Sequence, residues 1–380
     1  MENPRILFIA EGQLGDLLIL TPALRSVKTT FPDSLLVVLV VQRRRYAAVP
    51  AANASKIVDR PHAGTAAVLI DNPHVDEVLE LDRSALRALK GLVRIKAEWR
   101  IVKLLRSKKF DRVVCTFPQD RFVLWALLSG AKARIGQRQQ SLSWLLTKKP
   151  EIHKETSGVL RYYCELAVAA GAAVMSFDTE YCVPRAAREW AEEFLRDHGL
   201  ADASRLVAIH PGASGPSSMW PPERFAAIAD IIQSESAARV LVCGTDYDEN
   251  VIQAMKEAMQ TQVIQVNSGD NLARFAAILR RCSLCISNDS GPRHLAIAVG
   301  TPAIAFMRRG QDGAWKIYER EEISIVLQSD ENCHECRNGS CHDRIPSGER
   351  FGAHCMRMIS VECAAQAVKR HLSMAISESS

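Results

Sequence analysis

Two kinds of segment alternate along the chain. Short apolar runs without polar alternation, such as 5–10 (RILFIA) and 35–41 (LLVVLVV), are separated by longer stretches with apolar residues at helical spacing, as in 16–31. Uninterrupted apolar strands separated by helices are the pattern of a parallel sheet covered on both faces. Further strands are expected in the first half at 67–70, 77–81 and 112–116, and helices over 92–105 and 158–170. The second half repeats the scheme, with strands at 206–209, 240–243, 263–266, 284–287 and 303–306. Helices over 222–233, 248–259, 271–281 and 291–299 lie between them. No sequence repeat of fixed period accompanies this likeness of the halves.

The pattern predicts an α/β chain of two doubly wound, Rossmann-like domains, 1–183 and 184–380, facing each other across a cleft. The stretch 181–184, ahead of a charged helix at 186–198, is the expected linker. Ligands of open α/β sheets bind beyond the carboxyl ends of the strands, so the chemistry belongs in the loops there.

Composition narrows the picture without redirecting it. Of 380 residues, 47% are hydrophobic and 24% charged, which excludes a disordered chain, a fibre or a small disulfide scaffold. A net charge of +5 and an aromatic content of 6% argue against a dedicated nucleic-acid binder. The N-terminus runs straight into a strand with no signal-peptide pattern, and no apolar stretch reaches the ~18 residues of a spanning helix. Eleven cysteines, an odd number, then suit reducing cytosol, and a cytoplasmic location is expected.

Three strand-to-helix loops carry candidate chemistry. The first, Glu11-Gly12-Gln13-Leu14-Gly15-Asp16, has two glycines that permit a tight turn and a carboxylate at the helix start. Asp16 there is placed either to cap the helix or to act as a general base. The second, His210-Pro211-Gly212-Ala213-Ser214-Gly215, leads to Trp220-Pro221. Its small residues would bare backbone N–H groups to a phosphate, or form an ordinary Gly/Pro loop. The third, Asn288-Asp289-Ser290-Gly291-Pro292-Arg293-His294, combines a helix N-terminus with a hydroxyl as an anion nest. Helix capping accounts for Asp289 or Ser290 and for Pro292, but not for Arg293 and His294 beside them.

At these three places the chain resembles glycosyltransferase family 9, the ADP-heptose:lipopolysaccharide heptosyltransferases and their relatives. The shared residues are Leu14-Gly15-Asp16 with Thr21-Pro22-Ala23-Leu24, His210 to Ala213 with Trp220-Pro221, and Asp289-Ser290-Gly291-Pro292 with His294-Leu295-Ala296. Each motif alone is weak, but the three fall in the family's order across nearly the whole chain. The resemblance implies a GT-B architecture, a nucleotide-sugar donor held mostly by the C-terminal domain, and inversion at the anomeric carbon without a catalytic metal. It implies Asp16 as the base that deprotonates the acceptor hydroxyl. It places Asp289, Ser290, Gly291 and His294 near the donor sugar and diphosphate, and Asp248 at the ribose hydroxyls. The donor-binding set expected on this basis is Gly15, Gly212, Ala213, Ser214, Ser218, Asp248, Asp289, Ser290, Gly291, Pro292, Arg293 and His294.

Two positions depart from the family pattern. Ser218 stands where the family usually has a Lys that neutralises donor phosphate, and Ala10 where a basic residue is common; Arg293 could restore one charge. The leading expectation is transfer of heptose from an ADP-sugar to a lipopolysaccharide-core-like or other glycan acceptor. Another nucleotide sugar, a protein acceptor, or a catalytically silent nucleotide-sugar-binding or assembly protein are the alternatives.

Two further features lie outside these loops. Cys333, Cys336, Cys341 and Cys355, in a Cys-rich stretch over 331–356, match the spacing of a structural zinc or iron site, with free thiols as the alternative. In the autotransporter heptosyltransferases, which resemble this family, a cysteine cluster binds iron. The segment 83–109 holds ten basic residues against the single acid Glu98, with Leu92, Ile95, Trp99, Val102 and Leu105 at near-helical spacing. It reads as a helix that contacts the inner membrane or a phosphorylated acceptor, or as a solvated helix whose apolar stripe packs on the sheet. Arg43, Arg44 and Arg45 could extend the same surface.

Overall fold

Each half of the chain builds its own sheet. In the computed structural model, residues 3–42, 58–59, 65–138, 141–151, 154–203, 205–268, 271–309, 317–318, 320, 322–329 and 345–377 are described. The chain divides into two compact units, Met1–Cys182 and Val183–Ser380.

The first unit contains β1 (Arg5–Gly12), β2 (Leu35–Gln42), β3 (Val58–Asp59), β4 (Glu77–Asp82), β5 (Arg112–Cys115) and β6 (Ala133–Ile135). Their order is β3-β4-β2-β1-β5-β6. All neighbours are parallel except the short β3, which runs antiparallel on β4. Phe8 of β1 stands opposite Val38 on one side and Val114 on the other, and β1 is buried from Ile6 onward. The helices are α1 (Leu14–Thr30), α2 (Arg83–Ala88), α3 (Gly91–Ser107), α4 (Asp120–Leu128) and α5 (Lys154–Ala169). From β1 the sheet grows outward in both directions, so the strand order reverses between β1 and β5. A crevice opens at such a reversal in an open α/β sheet.

The second unit begins with α6 (Arg185–Asp197) and contains β7 (Leu206–His210), β8 (Arg239–Gly244), β9 (Ile264–Asn267), β10 (Leu284–Asn288), β11 (Ala303–Phe306) and β12 (Ser324–Leu327). The order is β12-β11-β10-β7-β8-β9, all parallel, with the reversal between β7 and β10. Its other helices are α7 (Pro222–Glu235), α8 (Glu249–Ala258), α9 (Leu272–Arg281), α10 (Gly291–Ala298), α11 (His354–Arg357) and α12 (Val361–Ser377). Both units are therefore doubly wound, parallel-sheet α/β structures, and the fold is that of the GT-B class.

The Thr21-Pro22 pair explains how a proline sits inside α1. Pro22 has no N–H to give to the Leu18 carbonyl one turn back. The Thr21 hydroxyl donates to that carbonyl instead, at 2.7 Å, and the Thr21 Oγ1 in turn accepts the Glu180 N–H at 3.0 Å. This motif is a device for a buried, tightly packed helix, since residues 17–24 of α1 are all buried.

Two expectations are corrected. The apolar run 67–70 is not a strand: a single 3-10 turn, Thr65–Val68, buries Ala66 and Val68, and Leu69 follows it into the core. An apolar run this short fits a strand or a helical turn equally well. The apolar residues of α3 also do not form one stripe. Ala97, Ile101, Val102 and Leu105 are buried in the core of the first unit, whereas Leu92, Ile95 and Trp99 are exposed.

Candidate functional site

Both reversals in strand order carry a loop singled out from the sequence. In the first unit, β1 runs into Gln13 and α1, whose first turn contains Gly15, buried, and Asp16, partly exposed. Asp16 Oδ2 accepts the Gln13 N–H at 2.7 Å, so the carboxylate does cap the helix. Gly12 lies so close that a Cβ there would sit 2.3 Å from Asp16 Cβ and 2.5 Å from Oδ2. The glycine at this place lets the carboxylate fold back against the strand end.

Glu11, one residue before Gly12, is a member of this site that sequence reasoning missed. Its side chain is fully buried and accepts from Arg83 at the start of α2 and from Gln119 at the start of α4. One carboxylate thus ties the loops after β4 and β5 to the end of β1. Burial, then the neighbouring charges of Arg87 and Arg121, pushes the Arg83 guanidinium below its ordinary range. Arg121 is lowered too, by burial and by Arg94 and Arg87, with Glu98 opposing. Arg83 thus feels the charges of Arg87 and Arg121, and Arg121 those of Arg87 and Arg94. The only signal for Glu11 in the sequence is an acid inside an otherwise apolar strand.

In the second unit, Asn288 plays the corresponding part at the end of β10. It is fully buried; Oδ1 accepts the Trp220 N–H at 2.7 Å, and Nδ2 donates to the carbonyls of Pro211 (2.7 Å) and Gly212 (3.1 Å). The 210–215 loop, the Trp220 segment and the start of α10 are held together by this one amide. Ala213, Gly215 and Ser218 are partly exposed along these loops and Ser214 is exposed. Trp220 itself is core, stacked on Phe306 with ring centres 3.9 Å apart, its indole N–H donating to the Ile359 carbonyl at 3.0 Å.

Asp248, expected at the ribose hydroxyls, is engaged by residues of its own unit. Its Oδ2 accepts from the Thr245 N–H and hydroxyl, each at 3.0 Å, and lies 3.5 Å from His210 Nε2. Oδ1 fills the space where a Cβ of residue 212 would be, 1.9 Å away, so only glycine fits there. Burial alone would raise its pKa. The His210 hydrogen bond and charge, with both Thr245 hydrogen bonds, more than reverse this and bring it to about 2. The carboxylate joins the loops after β7 and β8, with Oδ2 taking its polar partners and Oδ1 packed against Gly212. His210 Nδ1 is buried and meets no partner among the described residues.

The 289–294 segment splits into two faces. Asp289, Ser290, Gly291 and Pro292 are partly exposed at the start of α10, and Arg293 and His294 are buried. Arg293, placed in the sequence beside the diphosphate, is fully buried with its guanidinium turned into the unit. It donates to Asp289 Oδ1 at 2.6 Å and to the Ser324 hydroxyl of β12 at 3.0 Å, and lies 5.4 Å from the Tyr318 ring centre. Burial pushes the Asp289 carboxyl up while the Arg293 guanidinium pulls it down. His294 Nδ1 lies 3.1 Å from the Tyr318 hydroxyl. Burial, and then the Arg293 charge, pushes this imidazole down to about 3. It is neutral at pH 7 and offers no cation to a phosphate.

Of the four cysteines expected to bind metal, Cys333, Cys336 and Cys341 lie outside the described residues. Cys355, in α11, is a free thiol packed in the apolar core of the second unit. Among the described residues no three His, Cys, Asp or Glu side chains are grouped to hold a metal ion. No chemistry below passes through a metal. No helix among the described residues is long and apolar enough to cross a membrane.

A model of glycosyltransferase family 9 (heptosyltransferase) matches residues 98–344, well over half of the chain. Lipopolysaccharide heptosyltransferase 3 of Escherichia coli is 22% identical over 316 residues, covering 82% of this chain and 85% of that protein. Among solved structures, a family 9 glycosyl transferase from Veillonella parvula is 25% identical with a TM-score of 0.75, over 98% of this chain and 99% of its own. The E. coli ADP-heptose heptosyltransferase II is 18% identical with a TM-score of 0.69, over 98% and 99%.

Proposed function

The chain belongs to glycosyltransferase family 9, the heptosyltransferases, and from that premise we propose that it transfers heptose from ADP-heptose to a lipopolysaccharide-core-like acceptor, with inversion. The observation that carries this reading is Asp16: a partly exposed carboxylate on the first turn after the central strand, at the strand-order reversal of the first unit. Asp16 takes the proton of the acceptor hydroxyl as its oxygen bonds to the anomeric carbon. The carbon–oxygen bond to the diphosphate breaks on the opposite face, which inverts the configuration, and ADP leaves with the electron pair.

The donor belongs to the second unit in this reading. Backbone N–H groups of residues 212–215, with Ser290 and Gly291 at the start of α10, stabilise charge on the departing diphosphate. Arg293, paired with Asp289, acts as a positioning residue for the start of α10 and not as a phosphate ligand. Arg83, Arg87, Arg94 and Arg121 outnumber the Glu11 and Glu98 carboxylates that pair with Arg83 and Arg121, and this excess of positive charge would favour an anionic acceptor.

Ser218 favours a second reading. It is partly exposed in the 3-10 turn Pro216–Ser218 and brings no charge where the family usually has a Lys. A different nucleotide sugar, a protein acceptor, or binding without turnover would suit that loss. Thermal shift against ADP-heptose and a series of UDP-sugars separates these readings, since a ligand that binds only the folded chain raises its melting temperature. ADP-heptose is expected to stabilise the protein and UDP-sugars are not. Stabilisation by UDP-sugars alone would overturn the donor assignment.

A further inference from the structure

Helix α3 presents to solvent a face that its packing does not use. Ala97, Ile101 and Leu105, at i, i+4 and i+8, turn toward the sheet. On the other side Leu92, Ile95 and Trp99, at i, i+3 and i+7, are 74%, 53% and 52% exposed. Leaving one aromatic and two aliphatic side chains largely in water on a single helix face forgoes the gain their burial would bring.

The charges on that helix are sorted. Lys96 and Lys103 lie one turn beyond Leu92 and Trp99, and Arg106 lies two turns beyond Trp99, so the apolar stripe is bordered by cations. Glu98, the only acid of the helix, is turned away toward α4, where it accepts the Trp125 indole N–H at 2.9 Å and pairs with Arg121 at 3.2 Å. The exposed face is therefore apolar and wholly basic. The neighbouring α4, which packs beside α3, exposes Leu124 as well.

We propose that the Leu92–Ile95–Trp99 face of α3, with Lys96, Lys103 and Arg106, docks on an anionic lipid surface. Charge complementarity selects this occupant. Interfaces between proteins are depleted in Lys and bury about 800 Å² on each side, which three side chains do not supply. On a membrane the indole ring sits at the headgroup level, the aliphatic side chains enter the acyl boundary, and the Lys and Arg heads meet lipid phosphate. Each such cation contributes about 1 kcal/mol of attraction to an anionic leaflet. The inference goes beyond glycosyl transfer, because docking needs neither donor nor acceptor.

The test is co-sedimentation of the full-length protein with vesicles of phosphatidylcholine, with and without phosphatidylglycerol. The wild type is expected to bind the anionic vesicles, to leave the neutral ones, and to be released as salt is raised. A Leu92→Ser/Ile95→Ser/Trp99→Ser variant should bind roughly tenfold less or worse. Lys96→Gln/Lys103→Gln, which keeps the apolar stripe and guards against misfolding of the first variant, should lose about fivefold per charge. Brominated lipid should quench wild-type tryptophan fluorescence more than that of Trp99→Phe. Failure of the wild type to bind, or binding unaltered in both variants, would overturn the proposal. So would a dimer in sedimentation velocity that the same substitutions dissolve, since the face would then belong to a second copy of the chain.

Discussion

A carboxylate at a strand end can cap a helix, lock a loop, hold a sugar hydroxyl or take a proton, and its surroundings decide among these. Asp16 and Asp248 show the contrast. Both start helical turns after buried strands, yet Asp248 is buried among Thr245, Gly212 and His210, while Asp16, which accepts the Gln13 N–H, is partly exposed. The Asp248 joint has a pH signature. Its folded pKa of about 2 lies below its ordinary 3.8, so its contribution is complete above the ordinary value and is lost as pH falls toward 2. The shift corresponds to about 2 kcal/mol. Asp248→Asn should therefore be less stable than the wild type near neutral pH, and the gap should close as pH falls below about 3. Denaturant unfolding across that range measures it, and a gap independent of pH would contradict the assignment.

Between elements, two buried polar side chains hold the loops at the reversals: Glu11 in the first unit and Asn288 in the second. Asn288→Ala would leave the buried Trp220 N–H and the Pro211 carbonyl without partners. At ~1–3 kcal/mol for each unsatisfied group, a loss of about 3 kcal/mol is expected. Weaker ADP binding should accompany it, because the 211–215 loop is no longer fixed. Calorimetry and urea unfolding check both, and a stable variant with unchanged nucleotide affinity would remove Asn288 from the site. Neither staple was legible in the sequence, which reveals that a polar residue ends a strand but not which loops converge on it. The strands themselves were legible, because fully buried parallel strands leave uninterrupted apolar runs such as LLVVLVV. The run at 67–70 misled because four apolar residues have no period. The α3 stripe misled for the opposite reason: five apolar residues at near-helical spacing divided between two faces of one helix. The short β6 and β12 gave too little pattern to be anticipated.

At the level of the whole molecule, two doubly wound units each place a functional loop pair where the strand order turns. The first carries Asp16 after β1, and the second carries the 210–215 and 288–292 loops after β7 and β10. Three short motifs were enough to place the chain in its family, since the motifs occupy these positions. Their residue-by-residue roles proved less uniform. Thr21-Pro22 and Trp220 serve the core, Arg293 and His294 are buried behind the partly exposed 289–292 segment, and Asp16 caps its helix while staying partly exposed. The central claim is that this carboxylate is the base of an ADP-heptose-dependent transfer. The most direct measurement follows ADP release in the presence of ADP-heptose and a lipopolysaccharide-core acceptor, for the wild type and Asp16→Asn, alongside ADP-heptose affinity. The account predicts turnover in the wild type, a loss of at least ~10²-fold in the variant, and donor affinity nearly unchanged. Turnover in the variant within a few-fold of the wild type would contradict it.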